Sequence, residues 1–203
     1  MSSRPITIAI TGPDGSGKST AAGRVSELLS GRFGADSVRI ASVWDALSSS
    51  GLFTSRESVA DYLGRLEPVA RCLFIFHAMS QSLSLALKAE PRFLLIDGHV
   101  YKYAASELAY GVADEIVLGA ARGFARPDRV FFLEIDPATA QDRKQSVSRY
   151  EQGESGFLEF QDRMGQTWRK LEERFGPWRH IPAGGSPGET AQLIFEETLR
   201  ITT

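Results

Sequence analysis

The sequence ITGPDGSGKST, residues 10–20, joins the end of an apolar run to a glycine-rich turn and a lysine that is followed by two hydroxyls. Gly12, Gly17, Lys18 and Ser19 satisfy the pattern G-x-x-x-x-G-K-[ST], which here directly follows a predicted strand and opens a predicted helix. Such a loop turns successive backbone N–H groups towards an anion, and the helix that follows adds the positive end of its dipole. The stretch therefore predicts a phosphate-binding loop in an α/β fold.

The residues of this loop are predicted to bind a nucleoside triphosphate together, each with a different role. Lys18 supplies a full positive charge for the terminal phosphates, and the hydroxyl of Ser19 completes the shell of a magnesium ion that keeps several waters. Asp97 ends the apolar run RFLLID, where its carboxylate is placed to hold a water of that magnesium; a helix cap or turn residue is the alternative. The predicted cofactors are ATP and Mg²⁺. The predicted cofactor-binding residues are Gly12, Gly15, Ser16, Gly17, Lys18, Ser19 and Thr20, and the predicted magnesium ligands are Ser19 and Asp97.

Asp14 is a carboxylate in a loop that otherwise attracts negative charge. Together with Gly15 it is consistent with a simple Asp-Gly turn pair, since the x positions of the motif accept any residue. In the alternative interpretation, its carboxylate points away from the phosphates and accepts a hydrogen bond from a hydroxyl of the phosphoryl acceptor. That contact would hold the acceptor in line with the donor.

Apolar runs that suit buried parallel strands alternate along the chain with segments of helical periodicity. The predicted strands span residues 6–11, 37–43, 92–97, 129–135 and 178–181. The predicted helical segments span 21–29, 69–90, 113–124 and 157–175, with a capping box at Ser186 and Glu189 that opens a last helix. This alternation predicts a three-layer α/β/α sandwich around a parallel five-stranded sheet, in a single domain over residues 1–203. The polar segment 141–156 has few packing residues and is predicted to be a mobile lid; it is called the lid segment below.

Composition and charge restrict the class of partner. The 203 residues carry a formal net charge of -2 and the pI is about 6.0, so no overall charge attracts nucleic acid or an anionic membrane. The single cysteine, Cys72, lies in the apolar run CLFIF, which indicates a buried thiol and a reducing compartment. The N-terminus lacks the pattern of a secretory signal, and no stretch reaches the roughly 18 apolar residues that span a bilayer. We therefore expect a soluble, cytoplasmic protein that binds neither nucleic acid nor membranes.

Several stretches resemble the thymidylate kinase branch of the nucleoside monophosphate kinases. The phosphate-binding loop reproduces the family pattern G-x-D-G-x-G-K-[ST], and KYAASELAY at 102–110 resembles the family's RYxASxxAY element. PDRVFFLEIDP at 127–137 is similar to the family's fourth strand and its exit. The segment SRYE at 148–151 resembles the family's D-R-[FY]-E, and the helix that follows it carries the further matches Phe160, Gln161, Arg163 and Trp168.

The resemblance implies a P-loop kinase that transfers the γ-phosphoryl group of ATP to a nucleoside monophosphate, with dTMP giving dTDP as the leading acceptor. It implies that Asp14 contacts a sugar hydroxyl of the acceptor and that Lys102 grips the acceptor phosphate. Phe74 aligns with the aromatic residue on which the family stacks the pyrimidine, although it also lies in an apolar helical stripe typical of core. The implied substrate-binding residues are Asp14, Phe74, Asp97, Lys102, Tyr103 and Tyr110.

The resemblance also suggests where the catalytic positive charge comes from. Gly15 stands where one subclass of the family has an arginine in the loop, so the arginine that stabilises the transferring group would come from the lid segment. The implied catalytic residues are therefore Lys18, Arg143 and Arg149, because an arginine fork meets two phosphate oxygens at a time. A solvated helix face is the alternative for both arginines. The family is usually dimeric through helices beside the acceptor, and we expect a homodimer.

Three departures from the family pattern surround the acceptor. The sequence after the second strand has no basic residue before Arg56, and His77 and Ala78 replace an Asp-Arg pair that reads the pyrimidine. The four residues 98–101 are inserted between Asp97 and the element that begins at Lys102. The alternative acceptors are therefore a modified pyrimidine nucleotide or another phosphorylated metabolite, and an alternative of a different class is a nucleotide-binding regulator without turnover.

Overall fold

Among the residues that the structure describes, the sheet has five strands, and all neighbouring strands in it run parallel in the order β2-β3-β1-β4-β5. The computed structural model describes residues 4–49, 51, 53, 55–144, 147–153 and 155–202, without the side chains of Ser49, Arg56, Arg149 and Gln152. All five predicted strands are confirmed, within one or two residues at their ends. The strands are Ile6–Thr11 (β1), Val38–Ser42 (β2), Phe93–Asp97 (β3), Arg129–Glu134 (β4) and Arg179–Pro182 (β5).

Helices cover both faces of this sheet, so the predicted three-layer sandwich is confirmed. Successive side chains of a strand point to opposite faces; Ile8 and Ile10 therefore pack against α1 and α10, while Ala9 packs into the core that includes α4, α5 and α9. The helices are Lys18–Phe33 (α1), Val43–Ser49 (α2), Arg56–Leu63 (α3), Pro68–Leu87 (α4), His99–Ala109 (α5), Asp114–Ala121 (α6), Pro137–Asp142 (α7), Arg149–Gln152 (α8), Phe157–Phe175 (α9) and Pro187–Arg200 (α10).

Local signals account for the ends of several helices. The predicted capping box of α10 is present: Ser186 Oγ accepts a hydrogen bond from the Glu189 N–H at 3.2 Å, and Glu189 Oε2 accepts one from the Ser186 N–H at 2.9 Å. Residues 43–49 and 56–63 form α2 and α3, where no helix was predicted from the sequence. The residues inserted after Asp97 form the N-cap and first turn of α5.

Helix α4 is long and apolar enough, by length and composition alone, to cross a membrane, and no other helix among the described residues meets that test. Core helices of globular proteins meet it too, and one side of α4, which includes Cys72, Ile75 and Met79, packs in the core. Cys72 is fully buried, as predicted, and burial raises the pKa of its thiol to about 12. We therefore describe α4 as a core helix.

The order of the strands places the loop at residues 12–17 at the middle of the sheet. Because β1 pairs with both β3 and β4, the chain switches direction across the sheet at β1. Ligands of open parallel sheets bind at such a switch point, beyond the carboxyl ends of the strands. The register pairs Ile10 with Asp97, so Asp97 ends its strand beside the start of the loop.

Candidate active site

The phosphate-binding loop joins β1 to α1, and its glycines are required by the backbone. Gly12, Gly15 and Gly17 have φ angles of 141°, 83° and 87°, a region that residues with a Cβ rarely adopt. Gly15 has a further constraint, since a Cβ there would overlap the backbone carbonyl of Ala140 in α7. The loop is thus packed directly against α7, and position 15 has no room for a larger residue such as the family's arginine.

Lys18, the first residue of α1, folds its side chain back over the loop. Its Nζ donates a hydrogen bond to the carbonyl of Pro13 at 2.6 Å. Desolvation lowers the pKa of Lys18 and the cations of Lys102 and Lys144 add to that effect, while the carboxylates of Asp14 and Asp97 oppose it only in part. A bound phosphate would be a strong additional partner for the Lys18 ammonium group.

Ser19 and Asp97 form the predicted hydroxyl and carboxylate pair. Ser19 Oγ donates a hydrogen bond to Asp97 Oδ2 at 2.6 Å, which joins the start of α1 to the end of β3. Hard oxygen ligands of this kind suit Mg²⁺, which keeps several waters and shares phosphate oxygens with the protein. The described residues contain no group of three or more His, Cys, Asp or Glu side chains that could hold a metal without such help. The pair therefore fits a magnesium ion that arrives with a nucleotide.

Asp14 is buried, with 7% of its surface exposed, and its carboxylate is paired on one side only. Its Oδ1 lies 3.3 Å from Lys102 Nζ, while its Oδ2 has no hydrogen-bond partner in the described structure. Desolvation acts to raise the pKa of Asp14, but Lys102, Lys18 and Lys144 outweigh it and hold that pKa below its ordinary value. Asp14 thus has an ionised carboxylate with one oxygen unpaired inside the protein. A residue that only forms a surface turn would not be expected to bury its carboxylate in this way.

A cavity of about 300 Å³, called the main cavity below, brings most of the predicted site residues together. Asp14, Lys18, Ser19, Asp97 and Lys102 all line it, as does Tyr103. Lys102 Nζ lies 5.1 Å from the ring centroids of both Tyr103 and Tyr150, so the cation is framed by two aromatic rings. The other described residues that line the main cavity are Gly15, Gly17, Thr20, Val43, Trp44, Leu47, Val59, Ala60, Leu63, Ile75, Gly98, Lys144, Ser148, Tyr150 and Glu151.

The lid segment contributes Lys144 to the main cavity, a residue that the sequence analysis missed. Lys144 Nζ donates to Glu151 Oε1 at 2.7 Å, and both residues line the cavity. The positive charge of Lys144 also lowers the pKa of Asp14 and of Lys18, although burial and Lys102 act more strongly on both. Lys144 directly follows Arg143 in the sequence, so its position in the lid segment could have indicated it. It was missed because only arginines were considered there.

Arg143 faces a different space. Its guanidinium donates to the carbonyls of Ala183, Gly184 and Gly185 at 2.6, 2.8 and 3.2 Å. It lines a second cavity of about 380 Å³, which also touches the phosphate-binding loop at Gly15 to Gly17 and the start of α10. The side chain of Arg149, the other arginine assigned to catalysis, lies outside the described part of the structure.

Phe74 and Tyr110 do not line the main cavity as the structure describes it. Phe74 packs edge-on against Phe53 and Tyr62, with ring centroids 6.0 and 5.2 Å away, and α4 presents Ile75 to the cavity instead. Tyr110 lines a third cavity of about 240 Å³ and donates from its hydroxyl to the backbone carbonyl of Tyr150 at 2.6 Å. Tyr110 therefore contacts the lid segment.

A buried charged network connects α4, α5 and α8, and the sequence analysis did not predict it. Arg71 Nε and NH2 donate to the carboxylate of Glu107 at 3.0 to 3.2 Å, and the hydroxyl of Tyr150 donates to Glu107 Oε1 at 2.9 Å. Burial and Glu107 raise the pKa of Tyr150 well above its ordinary value, so the hydroxyl keeps its proton. Arg71 is the one charged residue of the apolar helix α4, a signal that could have indicated a buried partner.

No known family model matches the chain, and no curated protein is similar to it in sequence. Among solved structures, the crystal structure of thymidylate kinase from Ehrlichia chaffeensis is similar, with a TM-score of 0.65 and 17% sequence identity. That likeness covers 99% of this chain and 100% of the other. The chain therefore has the fold of thymidylate kinase, as its phosphate-binding loop and the motifs that follow it predicted.

Proposed function

We propose that this chain is a kinase that transfers the γ-phosphoryl group of ATP to the phosphate of a small acceptor, a nucleoside monophosphate kinase in reaction class. The observation that carries the proposal is the arrangement around the main cavity, which is lined by the phosphate-binding loop with its carboxylate Asp14 and by Lys102 of α5, 3.3 Å from that carboxylate. A loop that binds only a nucleotide does not need a buried carboxylate that is paired with a second lysine. A second substrate accounts for both.

In the proposed reaction, an oxygen of the acceptor phosphate forms a bond to the γ-phosphorus as the bond to the β-phosphate oxygen breaks. The electron pair of the broken bond stays on ADP, and the acceptor gains one phosphoryl group. Such a transfer needs positioning and charge neutralisation more than a nucleophilic side chain. Bound Mg²⁺ would neutralise phosphate charge, and Ser19 and Asp97 would hold it.

We propose the remaining roles from the cavity that each side chain lines. Lys18 and Lys144 stabilise the transferring group, since both cations line the main cavity beside the loop. Lys102 binds the acceptor phosphate and Asp14 accepts a hydrogen bond from an acceptor hydroxyl. Arg143 lines the second cavity, and we assign it to the donor nucleotide that extends from the loop on that side.

The sequence resemblance implies dTMP, giving dTDP, as the acceptor; the alternatives are a modified pyrimidine nucleotide or another phosphorylated metabolite. The apolar character of the cavity wall formed by α2, α3 and α4 favours the alternatives, as argued below. We also propose that the chain forms a homodimer. We propose a cytoplasmic location because Cys72 is buried as a free thiol, which suits a reducing compartment.

The test is an assay of ADP release by the purified chain with ATP, Mg²⁺ and a panel of monophosphate acceptors. Acceptor-stimulated ADP release is expected in the wild type. Lys18→Ala should abolish it, whereas Lys88→Ala, at the exposed end of α4, should not. ATP binding without any acceptor-stimulated turnover would favour a nucleotide-binding regulator over a kinase.

A further inference from the structure

We infer that the acceptor carries, at the end away from its phosphate, an apolar group that forms no hydrogen bonds with the protein. The inference rests on the proposed kinase function and names the substrate class of the same site. That class is monophosphate esters with an apolar body, in preference to dTMP. It follows from how polar and apolar side chains are distributed around the main cavity.

The charged side chains of the main cavity come from the loop, the end of β3, the start of α5 and the lid segment. They include three lysines, Lys18, Lys102 and Lys144, which suit the phosphates of the donor and the acceptor. In the lid segment, Glu151 accepts hydrogen bonds from both Lys144 and Ser148. Among the described residues that line the main cavity, the charged side chains thus belong to the elements around the phosphate-binding loop.

The side chains that α2, α3 and α4 contribute have a different character. We call them the apolar wall: Val43, Trp44, Leu47, Val59, Ala60, Leu63 and Ile75. Val59 and Ile75 are each only 2% exposed and belong to the same core cluster as the sheet residues Ala9 and Leu94. The wall is thus part of the packed core, and it presents a preformed apolar surface to the acceptor.

The buried pair of Arg71 and Glu107 does not line the main cavity. It is held by its own contacts, since the guanidinium of Arg71 and the hydroxyl of Tyr150 both donate to the Glu107 carboxylate. Tyr150 and Leu63 line both the main cavity and the third cavity, whereas Arg71 lines the third cavity alone. Tyr150 and Leu63 therefore separate the main cavity from the charged pair.

A pyrimidine ring buried against this wall would lose the water that binds its carbonyl and imide groups, and the aliphatic side chains that the structure describes in the wall offer them no hydrogen bond in return. An unpaired buried polar group costs about a tenfold to hundredfold loss of affinity. An apolar group of the same shape has no such loss and gains from leaving water. The wall therefore selects against a nucleobase with a polar edge.

The sharpest test compares dTMP with 2,4-difluorotoluene deoxynucleoside 5′-monophosphate. This isostere keeps the shape, the sugar hydroxyl and the phosphate of dTMP but lacks the strong hydrogen-bonding groups of the base. With wild-type protein, ATP and Mg²⁺, the kcat/KM measured by ADP release should be about tenfold or more higher for the isostere. A kcat/KM for dTMP that equals or exceeds that of the isostere would overturn the inference and leave the kinase function standing.

The failure of the proposed function gives a different result. ATP binding with no ADP release for the isostere, dTMP or other nucleoside monophosphates would refute the kinase and the inference with it. A pair of variants then tests the wall itself. Val59→Thr adds a hydroxyl at nearly constant shape and should move the preference towards dTMP by about threefold or more, while Val59→Ala should leave the ratio of the two acceptors unchanged. If Val59→Thr has the same ratio of kcat/KM values for the two acceptors as the wild type, the apolar wall does not determine the acceptor preference.

Discussion

Asp14 lines the main cavity and keeps one buried carboxylate oxygen, Oδ2, without a hydrogen-bond partner in the described structure, and an acceptor hydroxyl that reached it would satisfy it. Asp14→Asn should therefore raise the KM of an acceptor that has the sugar hydroxyl by about tenfold to a hundredfold, since a hydrogen bond to a charged group is lost. An acceptor that lacks only this hydroxyl serves as the control and should be affected much less. Equal weakening of both acceptors in steady-state assays would rule out the contact.

Lys144 is the described cation of the lid segment that lines the main cavity. Lys144→Met should lower kcat by about a hundredfold, because a positive charge that stabilises the transferring group is removed. The Kd for ATP, measured by calorimetry, should change little, and Lys144→Arg should retain much of the activity. The matched control is Lys88→Met on the exposed end of α4. A wild-type kcat in Lys144→Met would remove this residue from the mechanism.

The residues of the phosphate-binding loop could be identified from the sequence. The cavity or core region into which Arg143 and Phe74 project could not. Gly12, Lys18 and Ser19 are fixed by a motif whose chemistry dictates the spacing of its residues. Arg143 and Phe74 were assigned by alignment alone. Their final positions depend on partners far away in the chain: the carbonyls near residue 184 for Arg143, and the Tyr62 ring for Phe74.

The ion pair between α4 and α5 ties two core helices to the short helix α8 of the lid segment. Glu107→Gln would leave the Arg71 charge buried without a counter-charge, so we expect a loss of about 3 to 5 kcal/mol in the free energy of unfolding. The double variant Arg71→Met with Glu107→Leu should recover most of this loss. The exposed pair of Asp114 and Lys170 provides the control, since Asp114→Asn should cost about 1 kcal/mol or less. Urea titrations give the free energy of unfolding of the wild type and of the three variants. A loss in Glu107→Gln as small as that in Asp114→Asn would show that the buried pair does not stabilise the fold.

His180 on β5 bridges Glu134 on β4 and Glu172 on α9, with Nδ1 and Nε2 at 2.7 and 2.9 Å from their carboxylates. Desolvation acts to lower the pKa of His180, but Glu172 and Glu134 raise it above its ordinary value of 6.5. Because the folded state binds this proton more tightly, the stabilisation is full below the unfolded pKa and is lost as pH rises through the folded one.

The wild-type free energy of unfolding should therefore fall more than that of His180→Asn as the pH rises from about 6, near the unfolded pKa, through the raised folded pKa. Denaturant titrations at several pH values measure the difference, and high salt should reduce it because the bridge is partly exposed. Parallel pH profiles for the two proteins would show that the bridge does not stabilise the fold.

The strands were easier to predict than the helices around the acceptor. A parallel strand buried on both faces is an unbroken apolar run, and each of the five runs formed a strand. Helices α2 and α3 have weak local signals, since the sequence VWDALSS mixes small polar and apolar residues in only two turns. Such short helices form because they pack on other elements, α2 on α4 and β2 and α3 on α8, which a local pattern does not reveal.

At the scale of the molecule, the position of the candidate site is set by the side of the sheet where the parallel strands have their carboxyl ends. The carboxyl ends of β1 and β3 carry the loop and Asp97, and the helices that follow them carry Lys18 and Lys102. The sequence could predict this arrangement because parallel strands bring their carboxyl ends to one side. It could not predict the apolar wall, which requires three helices to converge from separate parts of the chain.

The exposed side of α4 supports the proposed homodimer. Val69, Leu73 and Leu87 are 43%, 52% and 42% exposed, and at 100° per residue they lie within about 40° of one another around the helix. These exposed apolar residues, with the exposed Ser80 and Ser84 between Leu73 and Leu87 on the same side of the helix, are candidates for burial against a second copy of the chain. Leu73→Asp should place a charge in that interface and convert the dimer to a monomer in light-scattering measurements. Leu193→Asp, at a residue 43% exposed on α10, should leave the mass unchanged; a wild-type monomer, or equal behaviour of the two variants, would exclude this face.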